Sequence, residues 1–215
     1  MPRRLVSVCL LLLAIHSYSA KADEGIWLLD NFPSDRVEKL YGFRPDQQWL
    51  DRVRLSAVRL AQGCSAGFVS PRGLVQTNHH CAEECLEQLS TSEKDLMTAG
   101  FYAKEEKDEA KCPEFELDQL IGIGDVTARV REAIDGKEGE AFTEAKRAVK
   151  AAIAKECSGG NDALRCDVVE LYEGGIYNLY KYRRFQDVRL VFAPEQAIAF
   201  FGGDPDNFEF PRYDT

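Results

Sequence analysis

Histidine is the scarcest of the reactive residue types in this chain: three occur in 215 residues. One of them, His16, lies in the N-terminal apolar segment, so any imidazole chemistry in the remainder falls to the adjacent pair His79 and His80. Positive charge is also short. Lys and Arg total 27 against 36 Asp and Glu, a net charge of -9, which excludes a nucleic-acid binder that needs a cationic face to displace counterions. An anionic membrane surface would repel the chain for the same reason. No apolar run is long: Leu5 to Ile15 covers 11 residues, where a membrane-spanning helix needs about 20, so no stable membrane anchor is expected. No Cys-x-x-Cys pair, internal repeat, low-complexity tract or clear linker occurs. What is present, 45% hydrophobic and 29% charged residues, excludes a disordered or collagen-like chain and fits one large domain or two small ones.

Arg3 and Arg4 precede the short apolar run and small residues follow it, the pattern of a secretory signal peptide over residues 1–22. Cleavage after Ala20-Lys21-Ala22 gives a mature start at Asp23 and lowers the net charge to -12, because Arg3, Arg4 and Lys21 leave and no acid does. A periplasmic or secreted location follows. Removing Cys9 leaves six cysteines, Cys64, Cys81, Cys85, Cys112, Cys157 and Cys166. An even number in an exported chain points to disulfides, of which six cysteines allow 15 arrangements.

The hydrophobic spacing predicts two short helices over residues 34–53, broken near Pro45. Three short β-rich runs come next, Ser56 to Leu60, Cys64 to Ser70 and Gly73 to Asn78, joined by turns at Gln62-Gly63 and Pro71-Arg72-Gly73. Ala82 to Tyr102 is charged and helical, and Leu117 to Val130 reads as extended, interrupted by Gly122 and Gly124. Residues 138–157 form a helix stopped by Ser158-Gly159-Gly160-Asn161. Leu164 to Glu173, Ile176 to Arg183 and Asp187 to Phe192 read as a three-stranded meander. The fold class expected is mainly β with helical segments.

His79 and His80 end the run Gly73-Leu74-Val75-Gln76-Thr77-Asn78-His79-His80-Cys81. On a strand, neighbouring residues point to opposite faces, so one can face a cleft while the other packs or meets solvent. This stretch, a cysteine-bearing strand leading through a hairpin to His-Cys, resembles the histidine region of trypsin-like serine peptidases. More narrowly, Thr77-Asn78-His79-His80-Cys81 together with Phe201-Gly202-Gly203-Asp204-Pro205-Asp206-Asn207-Phe208-Glu209-Phe210-Pro211-Arg212 is similar to the S46 family of bacterial dipeptidyl-peptidases. Glu24-Gly25-Ile26-Trp27 and the run Tyr180 to Pro194 match as well, so the resemblance spans nearly the whole mature chain.

The resemblance implies an exported enzyme that clips dipeptides from free peptide N-termini, built as a trypsin-like double β-barrel with a helical insertion. This chain would hold the first barrel and part of the fold beyond it, residues 23–215 being the N-terminal part of the catalytic domain. No metal or organic cofactor is implied, and full-length members are often homodimers. Carried over by position, His80 matches the catalytic base and His79 a neighbour without a role. Asn207 matches an asparagine that binds the substrate's α-amino group, and Phe208 stands where that site commonly has a tryptophan. The resemblance also pairs Cys64 with Cys81, and proximity pairs Cys85 with Cys112 and Cys157 with Cys166.

The family's orienting aspartate comes after Pro-Arg-aromatic-x-x, which sets it at the position after Thr215. Asp214 is two places out of that register, and Asp125, 45 residues beyond His80, does not match it. No serine stands out as a nucleophile: the Gly-Asn-Ser-Gly type motif is absent, Ser158 reads as a helix stop and Ser65 as a strand residue. The 215-residue polypeptide alone is therefore expected to be inactive. Two other readings remain open, a secreted peptide-binding module without catalysis, and a metal site joining His79 or His80 to Glu83, Glu84 or Cys85.

Overall fold

The computed structural model describes residues 26–199 and Asp214. The signal-peptide segment, Asn207 and Phe208 lie outside the described residues. Contacts divide the chain into a unit up to Arg44 and a unit from Pro45 onward.

In the first unit, helix α1 (Ser34–Tyr41) ends at Gly42, whose positive φ of 67° lets its N–H turn back to the Glu38 carbonyl. Arg44 bonds both Asp35 and Glu38 on that helix.

The second unit opens with α2 (Gln47–Ser56). Pro45 cannot continue a helix, and the Asp46 carboxylate caps the next one by accepting the Trp49 N–H at 2.7 Å. Strands β1 (Ala57–Leu60), β2 (Ser65–Phe68) and β3 (Val75–Thr77) then pair antiparallel in sequence, turning at the two glycine-containing turns read from the sequence. Short helices α3 (Glu83–Leu89) and α4 (Leu96–Ala99) precede the two-residue strands β4 (Phe101–Tyr102) and β5 (Ala110–Lys111). The long strand β6 (Leu117–Asp125) leads to helices α5 (Thr127–Ile134) and α6 (Gly139–Ser158). After these come the long hairpin β7 (Leu164–Leu171) and β8 (Ile176–Phe185), then β9 (Arg189–Leu190), β10 (Phe192–Ala193) and α7 (Gln196–Ala199).

Six strands form one antiparallel sheet in the order β3-β2-β1-β6-β8-β7. The molecule is thus mixed helix and sheet rather than mainly β. Two further details differ from the sequence reading. Gly122 and Gly124 do not interrupt β6; the irregularity is a register shift against β8 between Leu120 and Gly122. The strand stops at Asp125, whose carboxylate takes the Thr127 N–H at 2.7 Å and starts α5. Helix replaces the expected extension there because Val126, Val130 and Ile134 recur every four residues and pack with Ile153 of α6 and with Val168 and Tyr177 of the β7–β8 hairpin. The meander is also not formed. Asp187 to Phe192 breaks into β9, which pairs with β5, and β10, which pairs with β4, while the outer neighbour of β8 is β6.

The larger core joins Val58, Leu60 and Leu117 of the sheet to Cys85, Leu86 and Leu96 of α3 and α4, with Cys112, Phe115, Leu190 and Ala193. All three expected disulfides are present: Cys64 with Cys81, Cys85 with Cys112, and Cys157 with Cys166. Among the described residues no helix is long and apolar enough to cross a membrane.

Candidate active site

The histidine pair is set by the end of β3. Thr77 is the last strand residue, and its hydroxyl bonds the Ser65 carbonyl across the hairpin at 2.9 Å. The chain then turns: Cys81 N–H returns to the Asn78 carbonyl and Ala82 N–H to that of His79, giving a single tight turn over His79–Cys81. The histidines therefore lie on a turn and not on a strand. They still diverge, because successive residues of a three-per-turn helix point about 120° apart. His79 is buried, 2% exposed, whereas the His80 side chain is 47% exposed. The disulfide from Cys81 to Cys64 anchors the end of this turn to the start of β2.

Asp214 faces His80. Its Oδ2 lies 2.6 Å from His80 Nδ1, its Oδ1 accepts the His80 backbone N–H at 3.1 Å, and Asn78 donates to Oδ2 at 3.2 Å. A carboxylate held from three directions fixes the ring that it holds. Nδ1 must carry the proton that Oδ2 accepts, which makes Nε2 the basic nitrogen. Among the described residues Nε2 has no hydrogen-bond partner. Burial alone would raise the Asp214 carboxyl, but the bonds from the His80 ring and backbone, the His80 charge and the Asn78 amide outweigh it and hold the group below the usual aspartate range.

By the family spacing Asp214 is two places out of step with the orienting acid, and among the described residues it is the carboxylate that meets His80. Asp125, the other acid considered, instead bonds the Thr127 N–H, and its carboxyl is lowered chiefly by the Thr127 hydroxyl and backbone. Ser158 ends α6 with its hydroxyl on the Lys155 carbonyl, and neither it nor Ser65 is a hydrogen-bond partner of His80 among the described residues. The ligating atoms of Cys64, His80 and Cys81 lie within 4.8 Å of one another. The two sulfurs are bonded to each other, however, and offer no thiolate to a metal. Cys85 is likewise committed to Cys112. Glu83 approaches His79, not His80, with Oε1 3.7 Å from Nδ1.

The comparisons with known proteins agree with one another. The model of the family described as Peptidase S46 matches residues 22–215. Dipeptidyl-peptidase 7 of Phocaeicola vulgatus is 32% identical over 95% of this chain and 30% of its own length. The Asp/Glu-specific dipeptidyl-peptidase of Shewanella putrefaciens is 34% identical over 94% of this chain and 28% of its own. Among solved structures, Porphyromonas endodontalis DPP11 superposes with a TM-score of 0.75 at 28% identity, covering 89% of this chain and 28% of that one. The chain thus spans about 30% of the length of the first of these relatives. A match to the family model over residues 22–215, together with the sequence relatives and the superposition, carries one conclusion: the chain belongs to the S46 peptidase family.

Proposed function

We propose that this chain carries the base-bearing part of a serine-type dipeptidyl-peptidase that releases dipeptides from the free N-termini of peptides. The observation that carries the reading is the 2.6 Å contact between His80 Nδ1 and Asp214 Oδ2, with the carboxylate also held by the His80 N–H and Asn78. In this reading His80 Nε2 removes the proton of a serine hydroxyl as the oxygen attacks the scissile carbonyl. The proton then passes to the leaving amine as the carbon–nitrogen bond breaks, and the acyl-serine ester is hydrolysed by water activated at the same nitrogen. Asp214 keeps the ring in the required tautomer and stabilises the imidazolium. The serine lies beyond the 215 residues, as does the position to which the family spacing assigns its acid. Asn207 binds the substrate's ammonium group, with Phe208 beside it. The antiparallel sheet is read as the first of two trypsin-like barrels and α5 with α6 as the helical insertion. Export through the leader at residues 1–22 supplies the oxidising compartment that the three disulfides need.

The test is dipeptide release from fluorogenic dipeptide substrates by the protein extended through its downstream serine and by the 215-residue polypeptide. Release by the extended protein alone is expected, since base and acid without nucleophile and oxyanion donors leave almost no catalysis. Turnover by the shorter polypeptide would show that the nucleophile has been misplaced. An inactive extended protein that still binds peptides would favour the peptide-binding module.

A further inference from the structure

His79 has no part in the proton transfers proposed above, yet it is the more buried of the pair, its side chain wholly enclosed. Its Nε2 lies 3.1 Å from the carbonyl oxygen of Pro194. A carbonyl can only accept, so Nε2 carries the proton and donates it. The other ring nitrogen meets no hydrogen-bond partner, since Glu83 Oε1 at 3.7 Å is too distant, and the Pro194 bond is the one hydrogen-bond tether of the ring among the described residues.

Pro194 is gripped from a second side. Gly100 ends α4 with φ 70°, and a Cβ placed there would meet the Ala193 oxygen at 2.9 Å and the Glu195 nitrogen at 3.0 Å. Just before it, β10 pairs with β4. Just after it, α7 closes with the N–H groups of Ile198 and Ala199 on the Glu195 carbonyl. This stretch is thus docked tightly on α4 and β4, and His79 is the residue that ties it to the turn carrying His80.

We propose that His79 is a positioning residue that fixes the distance between His80 and the Pro194–Ala199 stretch. The proposal rests on the function inferred above, because Asn207 lies eight residues beyond that stretch in the sequence. His80 itself is held by Asp214 and by the disulfide of the residue after it, so loss of the His79 tether acts on substrate binding rather than on the proton transfers.

The experiment uses the protein extended through its serine and compares His79→Phe, His79→Gln and His79→Asn with wild type. The Gln amide nitrogen can reach the place of Nε2, whereas that of Asn falls short. Kinetics are normalised to the serine that reacts with a fluorophosphonate. His79→Phe and His79→Asn are expected to raise KM about tenfold, the worth of a lost buried hydrogen bond, with kcat within about threefold and an unchanged pH profile. His79→Gln should restore most of the KM. Hydrogen exchange at the amides of Ile198 and Ala199 should quicken in the Phe and Asn variants and recover in the Gln variant. A merely structural His79 would lower the amount of active enzyme and leave KM alone. An unchanged KM in the folded Phe or Asn variant, or unchanged exchange, overturns the proposal. If His79→Phe does not fold, the Gln and Asn pair decides by the same criteria. If wild type releases no dipeptides, the proposed function fails, and the exchange comparison still decides whether His79 holds the stretch.

Discussion

Asp214 is the residue whose environment asks most of a single side chain, because one carboxylate serves the ring and the backbone of His80 and the amide of Asn78. Its carboxyl is held below the ordinary range near 3.9, so the stability it contributes is full above that value and disappears as pH falls through the lower folded one. Asp214→Asn in the extended protein should therefore cost about 1–2 kcal/mol at pH 7, with the difference from wild type shrinking below about pH 4, as thermal denaturation across pH would record. Its activity should fall on the order of 10⁴-fold, because an amide that donates to Nδ1 favours the wrong tautomer. Retained activity would move the orienting role to the position after Thr215. The sequence singled out His80, since His79 and His80 are the histidines outside the N-terminal apolar segment and the motif chooses between them. It did not single out the contact of Asp214 with His80, because register along a motif fixes order and not where a carboxylate lies in space. Nor did it reveal the His79 tether, a bond to a backbone carbonyl 115 residues away that no side-chain pattern signals.

At the scale of elements, local signals mark starts and stops well. Asp46 begins α2, and Gly159 at φ 57° ends α6 where Ser-Gly-Gly-Asn leads one to expect it. Strand pairing is less legible. The continuity of β6 through its glycines and the splitting of the stretch after β8 both depend on which distant strand lies alongside rather than on local composition. One pairing joins charges: Asp118 of β6, fully buried, bonds Arg59 of β1 at 2.9 Å and Arg165 of β7 at 3.2 Å. Both arginines are more than a third exposed, so they rehydrate when the acid is removed. Asp118→Leu should accordingly cost about 2 kcal/mol in urea unfolding, less than the roughly 3–5 typical of a fully buried broken pair. The disulfides rank by loop length. Replacing Cys85 and Cys112, 27 residues apart, by alanine should cost about 3.5 kcal/mol, and Cys157 with Cys166, nine apart, about 2.5. The first pair also loses packing, since both of its sulfurs sit in the larger core, so an equal or reversed ranking would count against that core assignment.

For the whole molecule, the sheet order β3-β2-β1-β6-β8-β7 leaves β3 and β7 as its outer strands, and Val69, Leu74, Tyr102, Phe192 and Ile198 stay substantially exposed. Exposed apolar surface of this kind marks where other protein surface packs, and the chain spans about 30% of the length of the first relative named above. If export proceeds through the leader, N-terminal sequencing of the secreted or periplasmic product should begin within two residues of Asp23; an intact Met1 would contradict it. The family was legible in short contiguous motifs and the disulfides in motif and proximity, whereas the different burial of the two histidines needed the three-dimensional turn. The most direct test of the role given to His80 is kcat/KM for dipeptide release by the extended protein carrying His80→Ala. A base that must both take and return the serine proton cannot be replaced by water at comparable rate, so a fall on the order of 10⁴-fold or more is predicted with the fold intact. Activity equal to wild type would contradict the role of His80 and with it the site described above.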